Sequence, residues 1–346
     1  MNGEVAEVRP GEELPHAALS EWLRTRLAGT DSLEILQFPS GHSNLTYLLR
    51  TRTPAAEYVL RRAPLGPVAA RAHDMARECR VLEAVHPHYP PAPRPVALCE
   101  DPAVIGAPFF IMERRHGVIP RRGVPAAFRE QPDAAARMSR ALIDGLAQLH
   151  VIDVEATGLV ALGKPTGFLE RQVTGWTERW RKALTNPVPA MDPVLEWLAT
   201  GRPEPTRVAM LHQDYKLDNV MFAGRDPGRI SAVLDWEMAT VGDPLADLGL
   251  TLTYWCLPEA RAVAGVDQSA GWWSREEMIA RYTERTGFEV KNLQWYEVLG
   301  TFKLAVILQQ IYARYAHGQT RDDRFAGLGR MAEALAARAN AMTIDN

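Results

Sequence analysis

A polar stretch, LHQDYKLDN at residues 211–219, interrupts two runs of core-type side chains and places Asp214 five residues before Asn219. A further acid, Asp235, ends the next β-like run, RISAVLDW. A hairpin between these runs would bring Asn219 near Asp235, so that an amide oxygen and a carboxylate lie together. Hard oxygen ligands with open positions suit Mg²⁺ that carries substrate phosphates. Asp214 would then be left to accept a proton from a nearby hydroxyl group.

The alternation within RISAVLDW predicts which side chains face this site. Asp235 shares one face of the strand with Val233, whereas Leu234 lies on the opposite, core-facing side. Simpler interpretations stay open, because Asp218 and Asn219 are common turn residues and Asp235 would also suit a helix N-cap.

A second group of acids follows in GDPLADLG. Asp243 at the N-cap and Pro244 at the first helical position predict the start of a helix there. Asp247 lies one turn into that helix among leucines, so its carboxylate needs buried hydrogen-bond donors.

The elements that must position these residues fall into two groups. Up to about residue 120, the periodicity predicts a small antiparallel meander with helices, and the proline-rich stretch 86–96 predicts an extended connector. The helices are expected at 16–28 and 70–85, and the strands at 33–38, 45–51, 58–62 and 107–117. Further helices are expected at 133–150, 168–184, 190–200, 244–257, 274–286 and 293–317, with short strands within 207–235. We therefore expect an α+β chain with a small antiparallel-sheet lobe, residues 1–113, and a larger helical lobe, residues 114–346.

The bulk composition argues against several classes of partner. A formal net charge of −3 and a pI of about 6.3 leave no global charge footprint for nucleic acid or an anionic membrane. The three cysteines are scattered without CxxC spacing, and the first residues lack the apolar segment of a signal peptide. These features predict a cytoplasmic protein with reduced thiols and no membrane partner, and they predict no particular oligomeric state.

The ordered set LHQDYKLDN, VLDWE and GDPLADLG resembles the catalytic loop and metal aspartate of the protein-kinase-like superfamily. It looks most like the aminoglycoside phosphotransferase branch, and within it like the phosphotransferase domains related to the N-terminal part of acyl-CoA dehydrogenase fusion proteins. The resemblance covers roughly residues 30–320. It implies a bilobal kinase-like fold and a phosphotransferase that uses ATP or GTP.

The resemblance also implies a role for each matching residue. Asp214 would orient and deprotonate the acceptor hydroxyl, and His212 would support the loop. Asn219 and Asp235 would hold Mg²⁺ on the nucleotide phosphates, and Lys216 would contact the γ-phosphate. Asp247 would brace the backbone of the catalytic loop.

On the nucleotide side, the stretch SGHSNLTY lies where a phosphate-covering loop belongs, with Ser43 and Asn44 as candidate contacts. It has a single glycine, so an ordinary hairpin turn is the alternative. YVLRR aligns with the strand that carries the family's lysine, which puts Arg61 on one face with Val59. Glu78 falls on the apolar stripe of the following helix and is the predicted partner of Arg61.

FIMERRHG, residues 110–117, resembles the hinge of this branch. Met112 would then lie at the back of the adenine pocket, and the backbone from Glu113 to Arg115 would bind the edge of the base. An edge strand leaving the sheet is compatible with the same pattern.

The acceptor is expected to be a small molecule with a hydroxyl group. Only residues 238–242 separate DWE from Asp243, which leaves no activation segment for a peptide. Acids and arginines interleave in the last 100 residues, which argues against a polycationic antibiotic, and the resemblance implies a hydroxyacyl-CoA or a related metabolite. The candidate acceptor wall is aromatic, and core packing explains these residues equally well: Trp176, Trp180, Trp197, Tyr254, Trp255, Trp272 and Trp273.

Three alternatives remain open at this point. An aminoglycoside-type kinase would share every motif. A nucleotide-binding pseudokinase would explain arginine at position 61, and a metal-dependent phosphohydrolase would use the same carboxylates without a nucleotide lobe.

Overall fold

The computed structural model of the chain divides into two compact units, Met1–Gly117 with Ser231–Glu237, and Val118–Ile230 with Met238–Asn346. The structure describes residues 5–39, 44–64, 74–121, 123–205, 207–256, 266, 270–320 and 322–344. The segment 231–237 was expected with the helical lobe, but it packs within the first unit.

The first unit is built on an antiparallel sheet with the strand order β1-β2-β3-β5-β4. Leu19 and Leu23 of the first helix pack with Tyr47 and Leu49 of the sheet in one apolar core. The strands are β1 (Glu34–Gln37), β2 (Leu45–Arg52), β3 (Ala55–Arg62), β4 (Pro95–Cys99) and β5 (Phe109–Glu113), and the helices are α1 (His16–Leu23) and α2 (Met75–Val85). The predicted meander of the first three strands is confirmed.

Strand β4 begins within the stretch 86–96 that was expected to be an extended connector, and its pairing with β5 was not predicted. Pro95 is its first residue, and the ladder to β5 shifts register between Pro95 and Ala97. A proline at the start of a strand or at a bulge loses no ladder hydrogen bond, so the sequence rule against it does not apply there.

Helix α2 begins where Asp74 caps it, because the Asp74 carboxylate accepts a hydrogen bond from the backbone N–H of Arg77 at 2.8 Å. The expected start at residue 70 lies outside the described residues. Glu78 lies on the buried stripe of this helix beside Met75 and Leu82, as its periodicity predicts.

The second unit is mainly helical. Its helices are α3 (Ala134–His150), α4 (Phe168–Ala183), α5 (Met191–Thr200), α6 (Pro244–Cys256), α7 (Arg275–Thr286), α8 (Leu293–Ala316) and α9 (Leu328–Ile344). Helix α9 was not predicted, because its alanine-rich sequence has few large apolar residues to mark a buried face. None of the helices in the described ranges combines the length and the apolar character needed to cross a bilayer.

Helices α6 and α8 cross closely, and glycine makes this possible. A Cβ atom at Gly249 would lie 2.6 Å from the backbone carbonyl carbon of Tyr296, and one at Gly300 would lie 2.6 Å from the Thr253 hydroxyl oxygen. The crossing matters because α6 and α8 carry side chains that contact the polar loop at residues 212–219.

Short strands flank that loop. Strand β6 (Ala209–Leu211) pairs with β9 (Thr240–Gly242), and β7 (Val220–Ala223) pairs with β8 (Asp226–Val233). The sequence did not predict β9.

The alternation predicted for Asp235 was wrong. Strand β8 ends at Val233, and Asp235 has a left-handed backbone with φ of 70°. Leu234 is half-buried, whereas Trp236 is fully buried and its indole N–H donates to the Val233 carbonyl at 2.8 Å. The large ring therefore takes the core position, and the chain turns at Asp235 instead of continuing the strand.

Candidate active site

One buried carboxylate, that of Asp247 in α6, binds the backbone of the polar loop. Its oxygens accept hydrogen bonds from the backbone N–H of His212 at 2.6 Å and from the backbone N–H of Gln213 at 2.9 Å. The Gln213 side-chain amide adds a third bond at 2.7 Å. The prediction that Asp247 braces this loop is confirmed.

Two histidines complete the support of the loop. Burial opposes ionisation of Asp247, but the hydrogen bond and charge of His150 and the contacts of His212 outweigh it and lower the Asp247 pKa. The His150 ring in turn lies 2.7 Å from the Tyr282 hydroxyl, and the backbone N–H of Asp214 donates to the His212 ring at 3.3 Å. His212 therefore contacts the loop it was predicted to support.

Gln213 has an uncommon backbone conformation, with φ of 66°. A non-glycine residue in this region costs of order 1–3 kcal/mol and persists only where its surroundings determine it. Here the bonds to Asp247 provide that constraint directly before Asp214. Strain of this kind concentrates at functional sites.

Asp214 has partners on both carboxylate oxygens. The Lys216 ammonium lies 2.9 Å from Oδ1 and 2.8 Å from Oδ2. The Asn219 amide donates to Oδ2 at 2.8 Å, and the Tyr254 hydroxyl donates to Oδ1 at 3.1 Å. Burial and the charge of Asp214 raise the pKa of Tyr254, so this hydroxyl stays a donor. The structure thus brings Asp214, Lys216 and Asn219 together as the sequence predicted, while the contact of Tyr254 was missed.

The side-chain amide oxygen of Asn219 is suited to bind a hard cation. Its amide N–H₂ is used twice, by the Asp214 carboxylate and by the Asp214 carbonyl at 2.9 Å. Its amide oxygen accepts no hydrogen bond from any residue that the structure describes, which leaves an oxygen of the type that Mg²⁺ prefers.

In the first unit, the predicted pair of Arg61 and Glu78 is confirmed, with Nη1 of Arg61 at 2.5 Å from Oε1 of Glu78. The other guanidinium nitrogen, Nη2, lies 3.0 Å from Oδ1 of Asp235, a contact that was not predicted. Arg61 therefore bridges a helix carboxylate and the carboxylate proposed for metal binding.

This cluster carries more negative than positive charge. Burial raises the pKa of Glu78 to about 7, with the charges of Asp235 and Glu237 adding to the effect and that of Arg61 opposing it. Oε2 of Glu78 and Nε of Arg61 are buried without a hydrogen-bond partner in the described structure. A further cation near Asp235 would relieve the repulsion among these acids, so the donor set fits Mg²⁺.

Glu237 is a residue of this cluster that the sequence reasoning missed. Its carboxylate accepts a hydrogen bond from the Asn44 side chain at 3.0 Å, and its carbonyl accepts one from Arg77 at 2.6 Å. Its position two residues after Asp235 in DWE was the available signal. Asn44, a predicted phosphate contact, thus lies on a carboxylate in this structure, and Ser43 lies outside the described residues.

The predicted base-binding residues lie together in the sheet. Val59 and Met112 are directly paired across β3 and β5, and both are buried. The backbone N–H of Glu113 is used by the Arg94 carbonyl at 2.9 Å, whereas the backbone of Arg115 has no hydrogen-bond partner among the described residues. Of the predicted hinge, the backbone of Arg115 is therefore left for the edge of a base.

Asn219 and Asp235 belong to different units, so their proximity stays a prediction. Within the described ranges, no three His, Cys, Asp or Glu side chains are arranged to hold a metal ion. The predicted acceptor wall is largely core, with buried Trp176, Trp180, Tyr254, Trp255 and Trp272.

Comparisons with known proteins identify the family of this chain. The family model described as APH, a phosphotransferase enzyme family, matches residues 34–280. Acyl-CoA dehydrogenase family member 10 of Mus musculus is 33% identical over 337 residues, which cover 95% of this chain and 31% of that protein. The chain spans less than half the length of the curated relatives it matches first.

Solved structures match over nearly the whole chain. A protein of Ralstonia eutropha JMP134, assigned to the aminoglycoside phosphotransferases, is 30% identical with a TM-score of 0.78, covering 96% of this chain and 99% of that one. A thermostable mutant of aminoglycoside phosphotransferase APH(4)-Ia, in complex with AMP-PNP and hygromycin B, is 16% identical with a TM-score of 0.60. The match covers 95% of this chain and 100% of that one, and it shows that the two proteins share a fold. The expected α+β, kinase-like fold class is confirmed.

Proposed function

Because the chain belongs to the APH family of phosphotransferase enzymes, we propose that it transfers the γ-phosphate of ATP or GTP to a hydroxyl group of a small molecule, with Mg²⁺ as cofactor. The observation that carries this proposal is the state of Asp214. Its carboxylate is fixed by three side chains on a strained loop that a buried aspartate braces. Such preorganisation is what a general base requires.

In the proposed reaction, the acceptor oxygen forms a bond to the γ-phosphorus while the bond from that phosphorus to the bridging oxygen of the nucleotide breaks. The proton of the acceptor hydroxyl passes to Asp214. Lys216, whose ammonium contacts the Asp214 carboxylate in this structure, neutralises negative charge on the phosphoryl group during its transfer. Asn219 and Asp235 hold Mg²⁺, which neutralises charge on the nucleotide phosphates when bound.

The first unit provides the nucleotide contacts in this proposal. Arg61, oriented by Glu78, donates to the phosphates in place of the lysine of other kinases, because guanidinium is a good phosphate donor. Val59 and Met112 line the adenine pocket, and the backbone at Arg115 binds the base. The remaining proposed nucleotide contacts are Ser43, Asn44 and Glu113.

For the acceptor, we propose a hydroxyacyl-CoA or a related metabolite. The similarity to acyl-CoA dehydrogenase family member 10 over 95% of this chain favours it. A second candidate is an aminoglycoside kinase, which the similarity to the Ralstonia eutropha protein favours.

The test is a panel of hydroxylated metabolites, including hydroxyacyl-CoAs and aminoglycosides, assayed by mass spectrometry for ATP-dependent phosphorylation. In Asp214→Ala, we expect turnover to fall on the order of 10²–10⁴-fold because the general base is lost. ATP affinity should stay close to that of the wild type. The matched control is Asp192→Ala, which removes an exposed carboxylate from α5.

Unchanged turnover in Asp214→Ala would exclude it as the base. Mg²⁺-dependent ATP binding that disappears in Asp235→Ala separates a kinase or pseudokinase from a phosphohydrolase, and turnover then separates the first two. ATP binding without turnover on any acceptor would favour the pseudokinase.

A further inference from the structure

Lys303 is a buried cation in the middle of α8, in the apolar run TFKLAVIL. It is 2% exposed. Its ammonium donates one hydrogen bond, to Oε1 of Gln213 at 3.0 Å, and lies 5.3 Å from the ring centroid of Trp176. An ammonium has three N–H donors, so two of them have no partner among the described residues.

The carboxylates nearest to Lys303 are occupied by other donors. Asp247 accepts from the backbone of His212 and Gln213, and Asp214 accepts from Lys216 and Tyr254. Lys303 forms no ion pair within the part of the chain that the structure describes. It is therefore a buried charge without a counter-charge in contact.

Such a charge is costly for the fold. Burial lowers the pKa of Lys303 to about 8, although the charges of Asp247 and Asp214 oppose the shift. A methionine or leucine would fill a similar volume without the desolvation penalty. A buried ionisable group without a structural partner is a candidate for ligand binding.

A second cation lies against the same aromatic ring. The guanidinium of Arg179 in α4 is 4.5 Å from the ring centroid of Trp176. Arg179 makes no hydrogen bond or ion pair with any residue that the structure describes. Its residue surface is largely exposed, but partial desolvation of the guanidinium lowers its pKa. Lys303 and Arg179 thus both contact the Trp176 ring, and these three residues are called the cation patch.

We propose that this patch binds an anionic oxygen group of the acceptor, a carboxylate or a phosphate ester that lies close to the reacting hydroxyl. The inference rests on the proposed function, because it assigns the patch to the acceptor of Asp214. Lys303 contacts Gln213, the residue directly before Asp214, so an anion on Lys303 lies beside the base. The unused N–H groups of Lys303 donate hydrogen bonds to its oxygens, and the Arg179 guanidinium adds positive charge beside the same ring. Among the proposed acceptors, the patch therefore favours a free hydroxy acid or a hydroxylated phosphate ester over a hydroxyacyl-CoA, whose acyl carbonyl is a neutral thioester, and it selects against polycationic acceptors.

Binding is tested directly by NMR on protein labelled with [ε-¹³C]lysine, because the chain has only five lysines. The Lys303 signal is assigned by its absence in Lys303→Met. The probes are glycolate and 3-hydroxypropanoate for carboxylate, glycerol 1-phosphate for phosphate, and glycolamide, 3-hydroxypropanamide and glycerol as neutral counterparts. We expect the acids to shift the Lys303 signal in a saturable way and the neutral counterparts to leave it in place. Lys291, which pairs with Glu289 on the surface, is the internal control.

No shift of the Lys303 signal with either anion class, or an equal shift with the neutral counterparts, would overturn the inference. A shift with only one class identifies the group as carboxylate or as phosphate.

The second measurement compares kcat/KM for each acid with that for its neutral counterpart. In the wild type we expect the acid to be preferred, and in Lys303→Met we expect this ratio to fall about tenfold to hundredfold, as for a lost charge-assisted hydrogen bond. Lys303→Arg retains the charge and should restore part of the ratio. An unchanged ratio in Lys303→Met would instead assign Lys303 to support of Gln213.

The two proposals fail in different ways. Anion binding at Lys303 without phosphorylation of any acceptor contradicts the phosphotransferase and leaves the cation patch intact. Phosphorylation of neutral acceptors as fast as acids contradicts the patch and leaves the phosphotransferase intact.

Discussion

Each unit of the molecule buries a cation beside its candidate site residues, and these two cations, Arg61 and Lys303, have opposite surroundings. Arg61 contacts two carboxylates, Glu78 and Asp235, and a third acid, Glu237, acts on it electrostatically. Lys303 contacts no carboxylate among the described residues and has an amide oxygen and an aromatic ring instead. Burial alone would lower the pKa of both, but the acids reverse this for Arg61 and not for Lys303.

The difference indicates what each unit is prepared to bind. Around Arg61, three carboxylates outnumber the guanidinium groups of Arg61 and Arg77, so a further cation would stabilise the cluster, as expected for a magnesium–nucleotide site. Around Lys303 the positive charge is unbalanced, so an anion stabilises it. Charge balance thus distinguishes the cluster proposed to bind magnesium from the patch proposed to bind the anion of the acceptor.

The largest effect is expected for Arg61→Met. The substitution leaves Glu78, Asp235 and Glu237 without their shared cation, and breaking a buried pair from one side costs about 3–5 kcal/mol. We expect the free energy of unfolding of the first unit to fall by that amount. Hydrogen exchange of the β3 amides in urea measures it locally.

Arg61→Lys is the matched control, because it retains the charge but loses the fork that reaches both Glu78 and Asp235. It should recover most of the stability. Equal losses in Arg61→Met and Arg61→Lys would mean that the shape of the guanidinium, and not its charge, stabilises the cluster. The contrast in charge between Arg61 and Lys303 would then not hold for Arg61.

The second effect is a pH dependence produced by Lys303. Its folded-state pKa of about 8 lies below the value of 10.5 for the free side chain. Between these pH values the unfolded chain retains a proton that the folded chain has released, so the free energy of unfolding rises with pH. The gap corresponds to about 3 kcal/mol, most of which has developed by pH 10.5.

Urea unfolding of the wild type and Lys303→Met at pH 7, 9 and 10.5 measures this difference. The groups that act on Lys303 are Asp247 and Asp214, which favour its charge, and Arg179, which disfavours it. We expect the wild type to gain on Lys303→Met as the pH rises. A constant gap would show that Lys303 keeps its proton through an ion pair, which would remove its contrast with Arg61.

Local patterns predicted much of the site. The helix start at Asp243 and the buried stripe that carries Glu78 are each readable within one element, and the structure confirms both. The five-residue spacing of Asp214 and Asn219 is equally local, but their direct contact was not predicted. The resemblance to the APH branch is confirmed over residues 34–280. The position of Asp247 among leucines predicted only that it needs buried donors, and the resemblance implied that those donors lie in the polar loop.

Contacts between distant elements were not predictable in the same way. Tyr254 and Lys303 reach the loop from α6 and α8, which cross closely only because of Gly249 and Gly300. A single lysine within an apolar helix indicates a buried cation, but the sequence does not indicate which residue that cation contacts. Asp235 was misplaced for a different reason, because burial of Trp236 overrides the two-residue period of the strand.

The smallest effect is expected for Tyr254→Phe, which tests whether Asp214 depends on neutral donors as well as on Lys216. The variant removes the hydrogen bond to Oδ1 of Asp214 and retains the ring. Hydrogen bonds to charged groups contribute about 1.5–3 kcal/mol, so we expect kcat to fall roughly tenfold or more while KM for ATP is unchanged. Tyr312→Phe, which deletes a hydroxyl with no hydrogen-bond partner among the described residues, is the control. A rise in KM for the acceptor with kcat unchanged would assign Tyr254 to acceptor binding. Asp214 would then depend only on charged contacts, as the Arg61 cluster does.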